Sequence, residues 1–104
     1  DGSDHHVRLQ HPIGITHYDG VLYITDTYNH KVKRVLPAMR SAFTVLGNGA
    51  AGHVDGAAEQ AQFSEPSGIS FASGNMYIAD TNNNAIRVAD IESGVVSTLE
   101  ISVI

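Results

Sequence analysis

The sequence has 104 residues, of which 42% are hydrophobic and 16% charged, so its composition fits one folded domain and not a disordered segment. A formal net charge of −5 argues against the broad basic surface that phosphate binding requires, and the absence of cysteine excludes disulfides and thiolate zinc sites. No apolar run approaches the roughly 20 residues of a membrane span, and the start at Asp1 lacks signal-peptide features, so we expect an interior or processed piece without membrane insertion.

Eight short strands are predicted, each bounded by turn residues. In chain order they cover residues 14–17, 21–25, 31–36, 42–46, 68–71, 76–79, 85–89 and 95–99. The Asp19-Gly20 pair and the Ser73-Gly74 pair predict hairpins, because such turns need residues that accept a positive φ. One helical segment of one or two turns is predicted over residues 57–62, following Asp55 as the candidate N-cap.

The second half of the chain repeats the first at a fixed offset of 54 residues, without gaps. The offset aligns Pro12-x-Gly14-Ile15 with Pro66-x-Gly68-Ile69, and Tyr23-Ile24-Thr25-Asp26-Thr27 with Tyr77-Ile78-Ala79-Asp80-Thr81. It also aligns Asp1-Gly2 with Asp55-Gly56 and Lys33 with Arg87. We therefore predict a first repeat with its inter-blade loop at 1–54 and a second repeat at 55–104.

Each repeat is predicted to form a four-stranded antiparallel meander, which at this period is typical of one β-propeller blade. The predicted fold class is therefore all-β, a fragment of two propeller blades. A blade buries both faces only between neighbours, so two blades leave apolar faces exposed. We expect the remaining blades in the same parent chain or in other copies, since copies of a two-blade unit could close a ring by symmetry.

These motifs resemble the NHL repeat. The segment Tyr28-Asn29-His30-Lys31-Val32 looks like the Asn-His-Leu motif, although Asn84 replaces the histidine in the second copy. The longer pattern from Leu46 to Asn83 is similar to the group that includes NHL-repeat-containing protein 2 and the plant suppressor-of-quenching protein. The resemblance implies about six blades, a thioredoxin-like domain elsewhere in the parent protein, and a location in the thylakoid lumen or the cytoplasm.

Two pairs of polar residues recur at the end of the second strand of each repeat: Asp26 with Asn29, and Asp80 with Asn83. They would serve either as calcium ligands or catalytic acids, or as turn residues whose carboxylates accept amide hydrogen bonds while asparagine tolerates a left-handed backbone. A catalytic group is needed once, whereas a turn is needed in every blade. The recurrence therefore favours the structural interpretation.

A second group of residues is predicted to lie on a binding surface or in the central channel. Its members are His17, His30, Lys31, Lys33, Arg34 and Arg87. His17 lies on the first strand, which lines the channel of a propeller, although its counterpart Phe71 suggests simple space filling. The basic residues of the third strand would either contact nucleic acid or keep a solvated edge strand from pairing, and the net acidity favours the edge strand.

No cofactor, metal or catalytic residue is predicted. The Gly-x-Gly-x-x-Gly segment at 47–52 lacks the long helix of a dinucleotide site, and His5, His6 and His11 do not complete a zinc ligand set. The leading hypothesis is a non-catalytic scaffold for a protein partner. The alternatives are a metal-dependent lyase or lactonase with its site in the channel, and an RNA-binding propeller.

Overall fold

The computed structural model describes residues 1–3 and 8–100, so His5 and His6 lie outside the described residues. Two antiparallel sheets follow one another along the chain: a five-stranded sheet of order β1-β5-β4-β3-β2 and a four-stranded sheet of order β6-β7-β8-β9. The first contains β1 (Gly2–Ser3), β2 (Pro12–Tyr18), β3 (Val21–Asp26), β4 (Lys31–Leu36) and β5 (Ser41–Leu46). The second contains β6 (Pro66–Ala72), β7 (Asn75–Asp80), β8 (Ala85–Asp90) and β9 (Val96–Leu99).

All eight predicted strands are present, and β1 is an addition that the sequence did not suggest. Short hairpin turns join the first two strands of each sheet. Both residues of each turn have positive φ, at 50° and 79° for Asp19 and Gly20 and at 50° and 80° for Ser73 and Gly74. This geometry matches the right-handed twist of the flanking strands, which explains why these residue pairs make tight hairpins.

The two sheets have the same register at an offset of 54 residues. Ile15 pairs with Ile24 in the first sheet as Ile69 pairs with Ile78 in the second, and both sheets have an irregularity just before these pairs. The outer edge repeats as well, because Gly2 pairs with Ala42 on β5 and Gly56 forms an isolated bridge to Val96 on β9.

The core lies between the two sheets and is completed by the segment that connects them. The first sheet contributes Tyr23 and Val32 to this core, the second contributes Ile69 and Met76, and the connecting segment contributes the fully buried Phe63. Burial of aromatic and branched side chains is the main stabilising contribution in such a small protein.

The sheets pack head to tail, so each sheet has one face covered by the other sheet and one face, called its free face, that no other element among residues 1–3 and 8–100 covers. Tyr77 and Ile86 occupy, in the second sheet, the positions of Tyr23 and Val32, and they line an open pocket on its free face. Leu22, the equivalent of Met76, lines a pocket on the free face of the first sheet together with the 64% exposed Ile15. The free face of each sheet therefore corresponds to the covered face of the other.

The segment at 57–62, predicted to form one or two helical turns, forms a single turn, in which Gln60 and Ala61 donate to the Ala57 carbonyl at 3.0 and 2.9 Å. The prediction that the third strand is an edge strand is wrong, because β4 lies between β3 and β5. Within the described residues, no helix has the length and apolar character of a membrane span.

The glycine-rich segment at 47–52 passes close to other parts of the backbone. Gly47 has a φ of 100°, and a Cβ atom there would lie 2.7 Å from the His30 carbonyl oxygen. Its role is therefore to let the connecting segment cross the end of the first sheet.

Candidate functional site

A buried carboxylate organises the end of β3 in the first repeat. Asp26 is fully buried, and its Oδ1 accepts a hydrogen bond from the Gln10 amide at 2.6 Å. Its Oδ2 accepts one from the Asn29 side-chain amide at 2.8 Å and lies 3.2 Å from the Lys33 ammonium group. The three contacts compensate for the removal of the carboxylate from water.

The second repeat builds the same arrangement, with an arginine in place of the lysine. The carboxylate of Asp80 is fully buried and accepts hydrogen bonds from the Ser64 amide, the Asn83 side-chain amide and the Arg87 guanidinium group, each at 2.7 Å. We call these two clusters the polar nodes: Asp26, Asn29 and Lys33 in the first repeat, and Asp80, Asn83 and Arg87 in the second.

The cation of each node also contacts the acid that opens its repeat. Lys33 lies 3.5 Å from Asp1, and Arg87 donates to Asp55 at 2.8 Å. Sequence reasoning missed these partners. The signal in the sequence is the 54-residue recurrence of Asp-Gly, which aligns Asp1 with Asp55.

The prediction that Lys33 and Arg87 lie on an accessible surface is wrong. Lys33 is 3% exposed and Arg87 is 0% exposed. Both side chains point toward buried carboxylates, and a buried carboxylate without a cation would be strongly destabilising. Their role in the structure is internal.

The left-handed backbone of the turn falls on a different residue from the one predicted. His30 and Asn84 have φ of 56° and 51°, whereas Asn29 and Asn83 belong to the 3₁₀ turns that precede them. The asparagine side chains instead donate to the buried carboxylates. Asn83 donates also to the Gly52 carbonyl at 2.8 Å, which joins the node to the connecting segment.

Polar bonds connect the first sheet to β6 at the same end of the molecule. The hydroxyl groups of Thr25 and Thr27 donate to the carbonyl groups of Ser67 and Pro66 at 2.6 and 2.7 Å. The Glu65 amide donates to Nδ1 of His30 at 3.0 Å, so His30 links the turn of the first repeat to the strand that opens the second sheet.

The other predicted surface residues remain accessible. His17 and Arg34 are exposed, and His30 and Lys31 are half-buried. Each of these four positions holds a different residue type in the second repeat, namely Phe71, Val88, Asn84 and Ala85 respectively. The predicted set therefore divides into buried residues whose chemistry both repeats share and accessible residues that only the first repeat contains.

The repeats also differ at a second pair of positions, which the sequence analysis does not predict. The rings of His11 and Tyr28 lie 4.3 Å apart in the first repeat. At the equivalent positions of the second repeat, the Asn82 side-chain amide donates to Glu65 at 2.7 Å. One structural position thus carries an aromatic pair in one repeat and an amide–carboxylate pair in the other.

The free face of the second sheet carries an open depression of about 670 Å³. Its lining combines apolar side chains, among them Ile86 and Leu99, with polar residues such as Thr81, Asn84 and Thr98. In the first sheet the equivalent region, around Val32, packs against Phe63 of the connecting segment. The depression is therefore the counterpart of the surface that accepts Phe63.

The described part of the chain contains no group of three or more His, Asp or Glu side chains arranged to hold a metal ion. His5 and His6, which were considered for such a group, are not among these residues.

Comparison with known proteins gives clear relatives, although no family model matches the chain. The chain is 44% identical, over 90% of its length, to Protein SUPPRESSOR OF QUENCHING 1, chloroplastic, of Arabidopsis thaliana, of which it spans 9%. It is 42% identical over 97% of its length to NHL repeat-containing protein 2 of Gallus gallus and 38% identical to that of Homo sapiens, spanning 15% of each. The predicted resemblance is confirmed: the chain is homologous to these proteins and corresponds to a fragment of their NHL-repeat region.

A solved structure shares the fold. A chain described as an auxiliary nutrient binding protein from Bacteroides thetaiotaomicron superposes with a TM-score of 0.68 and 22% identity, over 81% of this chain and 24% of its own length. At that identity the likeness concerns the backbone arrangement alone.

Proposed function

We propose that the chain forms two neighbouring blades of an NHL-type β-propeller within a larger protein, and that it acts as a non-catalytic scaffold for a protein partner. The observation that carries this proposal is the division between the repeats. The polar residues whose chemistry the repeats share are bonded inside the fold, and the accessible residues of the predicted surface set differ between them.

The propeller part of the proposal is supported by the head-to-tail packing of the sheets. Each free face is equivalent to a face that is already covered within the chain, so another repeat of the same kind fits on either side. Repetition of such a contact gives a ring or a solenoid, and a ring leaves no terminal face exposed.

The depression on the free face of the second sheet supports the same conclusion. A following repeat would place its equivalent of Phe63 against Ile86 and Leu99, as Phe63 itself packs near Val32. Leu99 is 43% exposed without that neighbour. Exposed apolar side chains on one face of a sheet are where a neighbouring repeat is expected to pack.

The scaffold part of the proposal is supported by the contacts that the ionisable side chains make within the fold. Asp26, Asp80, Lys33 and Arg87 have the chemistry of catalytic or ligand-binding residues, yet each is bonded to other groups of the chain itself. Two cations of the predicted basic set are thereby removed from the surface. What remains, Lys31 and Arg34 on an acidic chain, is poorly suited to neutralise several phosphates, so a protein partner is favoured over a nucleic acid.

The experiment uses the larger protein with accessible residues of the first repeat changed to those of the second. One variant combines His11→Glu with Tyr28→Asn, and another combines Arg34→Val with Phe43→Ser. Both leave the polar nodes intact, so we expect wild-type thermal unfolding. Affinity purification with quantitative mass spectrometry should show that at least one variant loses a partner that the wild type retains.

Asp19→Asn, in the first hairpin turn, is the matched control and should retain every partner. The scaffold proposal is contradicted if both variants recover the same proteins in the same amounts as the wild type. It is also contradicted if the purified protein turns over a substrate at a rate that depends on a polar-node residue.

A further inference from the structure

A cleft of about 200 Å³ opens between the two sheets on the side of the hairpin turns. Its floor is apolar and is formed by side chains of both sheets, Tyr23, Val45, Phe71 and Met76. Tyr23 and Phe71 meet edge to face, with ring centroids 4.8 Å apart. These four side chains lie on the covered faces, so further blades on the free faces would leave the cleft open.

One cation stands at the rim of this cleft. Arg34 is exposed, and its guanidinium carbon lies 5.9 Å from the centre of the Phe43 ring. In the described part of the chain no carboxylate lies within 4.0 Å of the guanidinium group. The second repeat has Val88 and Ser97 at these two positions, so the pair is not required by the blade itself.

The opposite wall of the cleft is a rigid turn. The Asp90 carboxylate accepts the amides of Glu92 and Ser93 at 2.9 Å each, and the Gly94 amide donates to the Asp90 carbonyl at 2.8 Å. These bonds lower the pKa of Asp90. Because this carboxylate is occupied by its own turn, the cleft wall is preorganised, and a preorganised wall reduces the ordering cost of binding.

The size of the cleft indicates what it binds. Sites that enclose whole small molecules measure roughly 300–1,000 Å³, whereas this cleft is large enough for one side chain. We infer that it takes an aromatic or leucine-sized side chain of a protein partner, and that a carboxylate adjacent to that side chain pairs with Arg34. The inference rests on the proposed scaffold function and assigns one contact site to it.

The test uses N-acetyl-phenylalanine, which combines a phenyl ring with a free carboxylate, and its uncharged amide as the matched probe. Each is titrated into the isotope-labelled chain and followed by NMR. We expect shifts confined to the cleft, at Tyr23, Phe71 and the Met76 methyl group. The carboxylate probe should bind about two- to fivefold more tightly than the amide, as expected for one exposed ion pair.

Arg34→Val should remove the preference for the carboxylate probe while leaving the weaker binding of the amide. Lys31→Gln, which removes a cation from the other end of β4, should change neither. Equal affinities of the two probes for the wild-type chain, shifts outside the cleft, or no shifts at all would overturn the inference. If a variant of the larger protein loses a partner but this titration shows no preference for the carboxylate probe, only the assignment of the cleft is contradicted.

Discussion

Each repeat holds a cation inside the protein, and the two repeats use different residues for the same task. Lys33 reaches Asp26, Asp1 and the Arg8 carbonyl group, the last at 3.3 Å. Arg87 reaches Asp80 and Asp55, and it also donates to the carbonyl groups of Gln62 and Val54 at 2.7 and 2.8 Å. The planar guanidinium group, which has five donors, satisfies more acceptors than an ammonium group can.

The second polar node gives a direct prediction for single-residue substitutions. Asp80→Ala removes one of the two carboxylates that pair with the buried Arg87 cation. It should lower the free energy of unfolding by about 3–5 kcal/mol. Asp80→Asn keeps an acceptor for the amides and should cost less. Urea denaturation of the whole chain measures both changes. Glu59→Ala, at an exposed position, is the control, and a loss for Asp80→Ala no larger than that of the control would contradict the assigned role.

The turn between β8 and β9 depends on an ionised carboxylate. Amides of Ser93 and Glu92 donate to Asp90 and lower its pKa below the ordinary value. A group with a lowered pKa in the folded state stabilises the protein above its unfolded pKa, which is about 3.9 for aspartate. That stabilisation is lost as the pH falls through the folded-state pKa.

We therefore predict that Asp90→Asn destabilises the chain at about pH 6 and that the difference from the wild type shrinks toward about pH 2. Chemical denaturation at the two pH values measures the difference. A constant difference across this range would mean that the charge of Asp90 does not act on the turn.

The contact between the two sheets gives a second prediction at the scale of single elements. The equivalent glycine of the other repeat serves as its control. A Cβ atom on Gly14 of β2 would overlap the Ser67 carbonyl oxygen, whereas a Cβ on the equivalent Gly68 would have only an ordinary contact with Ala79 at 3.6 Å. Gly14→Ala should cost about 1–3 kcal/mol of unfolding free energy, and Gly68→Ala should change it by less than about 0.5 kcal/mol. Thermal unfolding compares the two. Equal effects would contradict the head-to-tail packing of the sheets.

How well each element could be predicted from the sequence depends on whether neighbouring or distant residues determine it. Strands and hairpins depend on local patterns, such as Asp19-Gly20, and were predicted within a residue or two at most ends. The role of Asp55 could not be predicted locally, because this expected N-cap binds Arg87, which lies 32 residues further along the chain. Burial of Lys33 could not be read from its charge, since it depends on a carboxylate brought near by strand pairing.

At the scale of the whole molecule, the main feature is that the two sheets are joined by unlike faces. An interface between unlike faces can be extended at both ends, whereas an interface between like faces closes after two. The chain thus presents Ile15 and Leu22 on one side and Tyr77, Ile86 and Leu99 on the other. We propose that neighbouring repeats of a larger protein cover both sides.

An experimental structure of the chain together with its flanking sequence tests this account most directly. The account predicts a further four-stranded sheet on the free face of the second sheet, with an aromatic side chain of the following repeat seated against Ile86 and Leu99. A structure in which that face meets solvent or an unrelated element, with the two sheets no longer related by the 54-residue offset, would contradict it.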